Sequence, residues 1–476
     1  MDLTAEGVDE VVMNIIARAI ASAATGAAVV SGIGMSWPAL AVTPLNIAAE
    51  ARIALLAKGY NATGQQLFTQ LAAGRGNIVF SPYSVGSAMS MALAGARGDT
   101  ASEMMRALSL RMSAEAVDTG NAEVLAVFNG YDRSTAPPTG PAGATIVGRN
   151  CEMRPAGDMA NQGRYGLMLQ GTRCVGPGQT PPSARLLAAN ALMVLKPGDV
   201  IAPDYITLLK TRYAAEVFQR ATLDDINGWV ARRTADMIPR MLDRLDPDAS
   251  AALIDAVYFK ARWASAFDKK LTKDEPFHLD RSQQADVAMM NHTGSFSLVS
   301  RGGYRAVRLN YELDDLGLVI VLPDDVEGAA AVARRLDANT LTELFAALRD
   351  GKARKPVALA LPRFKAEYKA DLVEPFRQMG MRKAFDPAAA DFSGMTGKPA
   401  GQGGVYLSTV LHRAVIDVAE ESTEAAAATT VVIRPTAVAP PAAQPEPFRA
   451  DHPFLFYLVD DTTGLILFQG RISDPR

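Results

Sequence analysis

The chain has little of the side-chain chemistry that most enzymes use. Its 476 residues include only four histidines, the side chains best suited to proton transfer near neutral pH or to imidazole ligation of a metal: His278, His292, His412 and His452. It also lacks a G-x-x-x-x-G-K-[ST] phosphate loop, an H-E-x-x-H zinc helix, a C-x-x-C pair and a G-x-S-x-G nucleophile elbow. These absences weaken the interpretation as an enzyme without excluding it, and our expectation is a protein that is not an enzyme and needs no cofactor and no metal.

A strong excess of charge of either sign is also missing. The 48 Lys and Arg residues and the 51 Asp and Glu residues leave a formal net charge of -3, so the overall charge does not favour nucleic acid or an anionic membrane as a partner. Apolar residues make up 49% of the chain and charged residues 21%, which is typical of a globular protein. The length allows either several domains or one large domain that contains a sheet.

The amino terminus resembles a signal peptide. From Met13 the sequence runs through Arg18 into an Ala/Ile/Val/Gly stretch that ends in small residues at Ala39 and Ala41. We interpret residues 1–41 as a leader, with Met13 as the true start and cleavage after Ala41, and expect a secreted or periplasmic protein. An amphipathic leader helix or an upstream extension fits the same residues.

The only two cysteines, Cys151 and Cys174, lie in a stretch rich in glycine, proline and asparagine. We interpret residues 128–183 as an inserted surface lobe. In an exported protein the two thiols are able to form a disulfide that closes this lobe, whereas the alternative is two ordinary thiols.

The spacing of apolar residues changes along the chain. A helical period predicts two helical pieces between residues 46 and 73, interrupted at Gly59 and Gly64, a helix that opens at Ser81-Pro82, and a helix over 223–242. The carboxyl half is rich in strand patterns, at residues 253–260, 287–290, 296–299, 304–309, 316–322, 357–364, 405–418 and 454–458. Helices followed by strands predict an α+β fold with large sheets.

The segment from Glu420 to Ala437 fits two structures. Its small residues and the prolines that follow are typical of an exposed loop or an ordinary alanine-rich linker. Read as a strand, it places one set of side chains toward a core: Thr423, Ala425, Ala427, Thr429, Val431 and Ile433. The two charged residues between Thr423 and Arg434, which are Glu424 and Arg434, fall on the other face, so this stretch is able to enter a sheet without burying a charge.

An ordered series of motifs resembles the serpin family over nearly the whole chain, from residue 46 to 476 apart from the insert. The motifs are Asn77-Ile-Val-Phe-Ser-Pro-Tyr-Ser84, Gly95-Ala-Arg-Gly98, Ala189-Asn-Ala-Leu192, Ile226-Asn-Gly-Trp-Val230, Ala256-Val-Tyr-Phe-Lys260 with Trp263, Val287-Ala-Met-Met290, Leu361-Pro-Arg-Phe364 and Phe448-Arg-Ala-Asp-His-Pro-Phe-Leu-Phe456. The resemblance implies an α+β serpin fold with three β-sheets, about nine helices and an exposed reactive-centre loop.

The resemblance also implies a function, which is inhibition of a serine protease by a suicide-substrate mechanism. The target's serine attacks the loop and forms an acyl-enzyme, and the cleaved loop then inserts into the central sheet before water can release it. The implied partner is the target protease in a covalent complex with a monomeric inhibitor. The implied hinge of the loop comprises Glu420, Glu421, Ser422, Thr423, Glu424, Ala425, Ala426, Ala427 and Ala428.

The hinge composition favours an inhibitor. Thr423 is uncharged and residues 425–428 are small, as in inhibitory members of the family, although Ser422 stands where glycine is usual. The family spacing puts the reactive bond at Thr436-Ala437, which suits an elastase-like or subtilisin-like enzyme. Bonds one or two residues further on are alternatives, and Arg434 is disfavoured as the cleaved residue because Pro435 follows it.

The resemblance assigns further residues to control of the central sheet. His412 matches the family's "shutter" histidine, near Ser81 and Ser84, and Asp255 replaces the usual asparagine partner. We consider that an imidazolium-carboxylate pair there gives pH sensitivity, against the alternative of a satisfied buried polar cluster. Trp263 matches the aromatic residue of the "breach" where insertion begins, a role that overlaps with simple core packing.

Three other functions are open to such a sequence. A non-inhibitory serpin-fold binding protein would have its loop cut as an ordinary substrate, and a cross-class inhibitor would trap papain-like cysteine proteases through the same loop. A hydrolase with a Ser/His/Asp site is disfavoured because no nucleophile motif is present.

Overall fold

The computed structural model describes residues 47–72, 74, 76–129, 184–195, 200–219, 222–244, 250–313, 315–398, 404–420 and 444–476. The predicted leader over 1–41 and both cysteines lie outside these residues, as does nearly all of the predicted insert. Among the helices of the described ranges, none has the length and apolar character needed to cross a bilayer.

The described ranges contain ten α-helices. They are α1 (Ile47–Leu71), α2 (Pro82–Gly95), α3 (Gly98–Ala107), α4 (Ala114–Asn129), α5 (Pro203–Tyr213), α6 (Leu223–Arg233), α7 (Ala329–Arg335), α8 (Ala338–Arg349), α9 (Val373–Gln378) and α10 (Ser393–Thr396). Helix α2 begins as predicted, because the Ser81 side chain accepts a hydrogen bond from the Ser84 N–H at 3.0 Å and Pro82 occupies the first turn. Helix α4 was not predicted, and its last residues take up the first two positions of the predicted insert.

Two helix predictions were wrong. The two pieces expected between residues 46 and 73 form the single helix α1, in which Gly59 and Gly64 are buried. A Cβ atom on Gly64 would lie 2.6 Å from the Pro82 ring, so the glycine permits close helix packing and does not interrupt the helix. The helix expected over 223–242 ends at Arg233, because Ala235 and Asp236 adopt left-handed backbone angles.

Fourteen strands lie in the described ranges. They are β1 (Ile78–Phe80), β2 (Ala184–Val194), β3 (Glu216–Gln219), β4 (Ala251–Ala261), β5 (Lys273–His278), β6 (Gln284–Arg301), β7 (Tyr304–Asn310), β8 (Leu316–Pro323), β9 (Arg354–Pro362), β10 (Phe364–Asp371), β11 (Leu407–Val418), β12 (Glu446–Arg449), β13 (Phe454–Asp460) and β14 (Ile466–Ile472). With the helices, they confirm the predicted α+β class.

The strands form two hydrogen-bonded sheets in the described part of the chain, where three were expected. The larger sheet has the order β1-β14-β13-β8-β7-β6-β9-β12, with β5 also paired to β6. The 18-residue strand β6 explains the difference, because it pairs with β5 at its amino end and with β7 at its carboxyl end. Two of the expected sheets are thereby joined into one network.

The smaller sheet has five strands in the order β10-β11-β4-β2-β3. Its centre is the parallel pair β11 and β4, and each of these two strands has an antiparallel neighbour on its other side, β10 and β2 respectively. Successive residues of β4 face two different cores. Leu253, Val257 and Phe259 pack into the main core that includes α1 and α2, whereas Ile254 and Ala256 pack beneath α6.

Candidate functional site

The boundary between β4 and β11, which we call the seam, lies beside the segment that the sequence singles out as a loop. The chain leaves β11 at Val418 and continues through Glu420. A strand that turned back from β11 into the seam would run antiparallel to both of its neighbours. The other predicted loop positions lie outside the described residues: Glu421, Ser422, Thr423, Glu424, Ala425, Ala426, Ala427, Ala428, Thr436 and Ala437.

Four predicted residues meet on the core face of the seam. His412 of β11 lies opposite Asp255 of β4 in the strand register, and His412 Nδ1 is 2.7 Å from Asp255 Oδ2. The other carboxylate oxygen accepts a hydrogen bond from the Ser84 hydroxyl, and the Ser81 N–H lies 3.2 Å from His412 Nε2. His412 is 1% exposed and Asp255 2% exposed, so the cluster is closed to solvent.

The hydrogen bonds indicate which ring nitrogen of His412 donates. A backbone N–H can only donate, so His412 Nε2 accepts from Ser81 and the Nδ1–H faces Asp255. Both oxygens of the Asp255 carboxylate receive a donor, which is the condition for burying a charge at moderate cost.

The first residues after β11 are held by a second cluster. The indole Nε1–H of Trp263 donates to the Ala419 carbonyl at 2.9 Å. The indole stacks on Tyr311, with ring centroids 4.3 Å apart and an angle of 13° between the planes, and Phe267 contacts its edge. Burial raises the pKa of Tyr311, so its hydroxyl stays neutral at physiological pH.

Glu420 is buried at the start of the predicted hinge, with 3% of its surface exposed. Its carbonyl accepts from the Phe267 N–H at 3.1 Å, and its Oε1 accepts from the Thr272 hydroxyl at 2.8 Å. The Arg363 guanidinium lies 3.9 Å from the second carboxylate oxygen. These contacts fix the point at which the loop departs from the sheet.

Sequence reasoning did not identify the residues that hold Glu420 and Trp263. Arg363 was quoted only as part of a motif, and Thr272, Phe267 and Tyr311 carry no local pattern that distinguishes them. Their roles depend on contacts across long sequence separations, so a single sequence contains no signal for them.

The other face of the seam is covered by α6 and the residues that follow it. Ile226, Trp229 and Val230 pack with Ile254 of β4 and Leu411 of β11 in one buried cluster. A polar cluster on the core face and an apolar layer on the α6 face therefore both resist separation of β4 from β11. Opening the seam requires that both sets of contacts change.

Known proteins resemble the chain in sequence and in fold. Residues 58–475 match the family described as serpin (serine protease inhibitor). The leukocyte elastase inhibitor of Bos taurus is 32% identical over 417 residues, which cover 84% of this chain and 93% of the bovine protein. A serpin-like protein of Thermococcus kodakarensis is 30% identical over 450 residues, which cover 93% of this chain and 91% of that protein. The structure of human thyroxine-binding globulin aligns with a TM-score of 0.70 and 21% identity, over 89% of this chain and 99% of that one, which is a similarity of fold alone.

Proposed function

The chain belongs to the serpin family and has the serpin fold, and from this membership we propose that it is a suicide inhibitor of serine proteases. The observation that carries the proposal is the parallel pair β4 and β11, with the chain leaving β11 at the buried anchor Glu420. A severed loop attached at that point can turn back between the two strands. In this mechanism the inhibitor supplies a sheet that can accept the severed loop as a new strand between β4 and β11, and it supplies no catalytic group.

The proposed reaction uses the chemistry of the target. The protease's serine oxygen attacks a loop carbonyl carbon, the peptide bond breaks, and the loop residue after the bond departs with a protonated amine. The protein then remains attached to the protease through an ester. Insertion of the severed loop into the seam carries the protease away before water attacks that ester.

The free energy for insertion comes from the sheet. One parallel ladder between β4 and β11 is replaced by two antiparallel ladders, and antiparallel pairing is slightly more stable per residue. Each additional backbone hydrogen bond contributes about 1 kcal/mol net. The alternation from Thr423 to Ile433 places only uncharged side chains toward the core.

Two clusters are proposed to control this step. The Ser81, Ser84, Asp255 and His412 group ties β4 to β11 and to the start of α2, which is the role of a shutter. Trp263 and the residues around Glu420 hold the end of β11 where insertion begins, which is the role of a breach. Insertion must first break the contact between His412 and Asp255, because the two residues are direct cross-strand partners.

Replacement of Asp255 tests the shutter cluster. Asp255→Ala leaves the His412 Nδ1–H and the Ser84 hydroxyl without an acceptor, and we expect it to lower the free energy of unfolding by about 3 kcal/mol. Asp255→Asn keeps an amide that can bond both groups, so we expect a loss of less than about 1 kcal/mol. Urea unfolding of both variants measures the difference, and equal losses would contradict this account of the cluster.

Comparison of the wild type with Asp255→Asn tests the proposed pH sensitivity. Protonation of His412 Nε2 would turn an acceptor into a donor opposite the Ser81 N–H, which removes one bond of the cluster while the Asp255 carboxylate still faces the ring. The stoichiometry of inhibition is measured across pH for the wild type and Asp255→Asn. Superimposable profiles would eliminate a switch based on this carboxylate.

The specificity and location are proposed from the sequence. Cleavage at Thr436-Ala437 fits an elastase-like or subtilisin-like enzyme, and the relative from Bos taurus carries the name leukocyte elastase inhibitor. The leader over 1–41 supports secretion or a periplasmic location for a protein that acts as a monomer.

The decisive experiment is incubation with elastase or subtilisin followed by a denaturing gel. We expect a covalent complex that survives SDS. Its mass should equal the sum of the protease and the part of the inhibitor that precedes the cleaved bond. A clipped product without complex would favour a non-inhibitory binding protein. A parallel incubation with papain tests inhibition of cysteine proteases.

A further inference from the structure

A pocket with both polar and apolar lining residues lies beside the Trp263 cluster, on one face of the larger sheet. Three of its residues form a row across neighbouring strands, because Ser297 of β6 is the register partner of Arg308 of β7 and of Arg354 of β9. Register partners share a face of the sheet, so two arginines flank one serine. Ser295, Ser265 and Asn310 complete the polar lining.

The lining contains two cations and no acidic residue. Arg308 is buried, and its guanidinium bonds Asn310 through Nε and Asp461 through both terminal nitrogens. Asp461 is shared with Arg349 at 3.6 Å and does not line the pocket. Each terminal nitrogen of Arg308 retains a further N–H, because a guanidinium has more donors than these bonds use.

Arg354 supplies the second charge at the rim. Its terminal nitrogen donates to the Ser295 carbonyl at 3.2 Å, and the described residues give it no carboxylate partner. Arg308 and Arg349 thus share the carboxylate of Asp461, and Asp315 also interacts electrostatically with Arg308, whereas the charge of Arg354 has no carboxylate partner among the described residues. A site with guanidinium groups and serine hydroxyls, and without acids, is matched to an oxyanion.

We propose that this pocket binds a small tetrahedral oxyanion, phosphate or sulfate, between Arg308 and Arg354 with the Ser297 hydroxyl as a further donor. Guanidinium groups form strong charge-assisted hydrogen bonds with such anions. The rim position of Arg354 gives the anion access from solvent.

The pocket adjoins the start of the reactive loop. Trp263 lines it and also holds the Ala419 carbonyl, while the Ala264 N–H donates to the Asn310 carbonyl at 2.9 Å. The pocket therefore shares Trp263 with the cluster that holds the end of β11. If loop insertion changes the contacts of Trp263, as the proposed function requires, it also changes the pocket. This link between the pocket and the loop rests on the proposed loop insertion, and it predicts that the intact protein binds the anion more tightly than the loop-cleaved protein.

Isothermal titration calorimetry with inorganic phosphate and, separately, sulfate tests the site at constant ionic strength. We expect saturable binding of one ion per chain, and the separate titrations decide which ion is preferred. Arg354→Gln should weaken binding at least about tenfold, because it removes a charged donor from a surface position without disturbing the core. Ser297→Ala should weaken it less.

Lys355→Gln is the matched control. Lys355 neighbours Arg354 on β9 but points to the opposite face, where it pairs with Glu446 at 2.6 Å, and its loss should leave binding unchanged.

Absence of saturable heat up to physiological phosphate concentrations would overturn the site. A loss of anion affinity in Lys355→Gln equal to that in Arg354→Gln would also overturn it. Equal affinities of intact and loop-cleaved protein would overturn the link to the loop. The titration needs no protease, so its failure is distinct from absence of the SDS-stable complex.

Discussion

Cleavage of the loop should raise the melting temperature of the protein by about 10 °C. Insertion between β4 and β11 adds on the order of a dozen backbone hydrogen bonds at about 1 kcal/mol each, or roughly 10 kcal/mol. An entropy of unfolding of about 2 cal/mol/K per residue gives a chain of this size a shift of roughly 1 °C for each kcal/mol. Differential scanning calorimetry of intact and loop-cleaved protein measures the shift.

The cleaved sample should be made with a protease that cuts after Ile433 and before residue 444, so that the inserting segment stays attached to β11, with the site verified by mass spectrometry. A sample incubated with the inactivated protease is the control for heating and handling. Identical melting temperatures of the two samples would mean that the seam does not accept the loop, and the proposed mechanism would then fail.

Replacement of Thr423 by arginine should convert the protein from an inhibitor into a substrate. The strand interpretation predicts that Thr423 is the first position of the inserting segment to face the core, so Thr423→Arg would place a charged guanidinium inside the sheet without a partner. A penalty of a few kcal/mol in the insertion step slows it by at least about tenfold, since each 1.4 kcal/mol in a barrier is a factor of ten. Deacylation would then overtake insertion, and the stoichiometry of inhibition against elastase or subtilisin should rise by at least about tenfold.

Glu424→Arg is the matched control, because it introduces the same side chain one residue later on the opposite face of the strand. We expect its stoichiometry to change much less than that of Thr423→Arg. If the two variants behave alike, the face assigned to Thr423 is wrong. If neither variant changes the stoichiometry, insertion does not begin at the hinge.

Parts of this molecule follow directly from local sequence. Ser81 and Pro82 begin helix α2 because a hydroxyl side chain and a proline satisfy the first turn by themselves. The strand period predicted β11 to within two residues, and the ordered motifs led to the family that residues 58–475 match. These features need only neighbours along the chain.

Other parts depend on residues that are distant in sequence. Glycine at position 64 favours a break in a helix locally, yet α1 continues because the missing side chain leaves room for Pro82. The joining of two expected sheets through β6 depends on which strands lie beside it, which no residue of β6 encodes alone.

The sequence by itself determined the α+β class and the family, because each is encoded in local periodicity or in ordered motifs, and it also predicts a loop able to become a strand. Only the tertiary structure decided that His412 lies between Asp255 and the Ser81 N–H, and that Glu420 is held by Thr272 and Arg363. The physical reason is that strand register and burial bring together residues more than 50 positions apart, whose hydrogen bonds no local pattern contains.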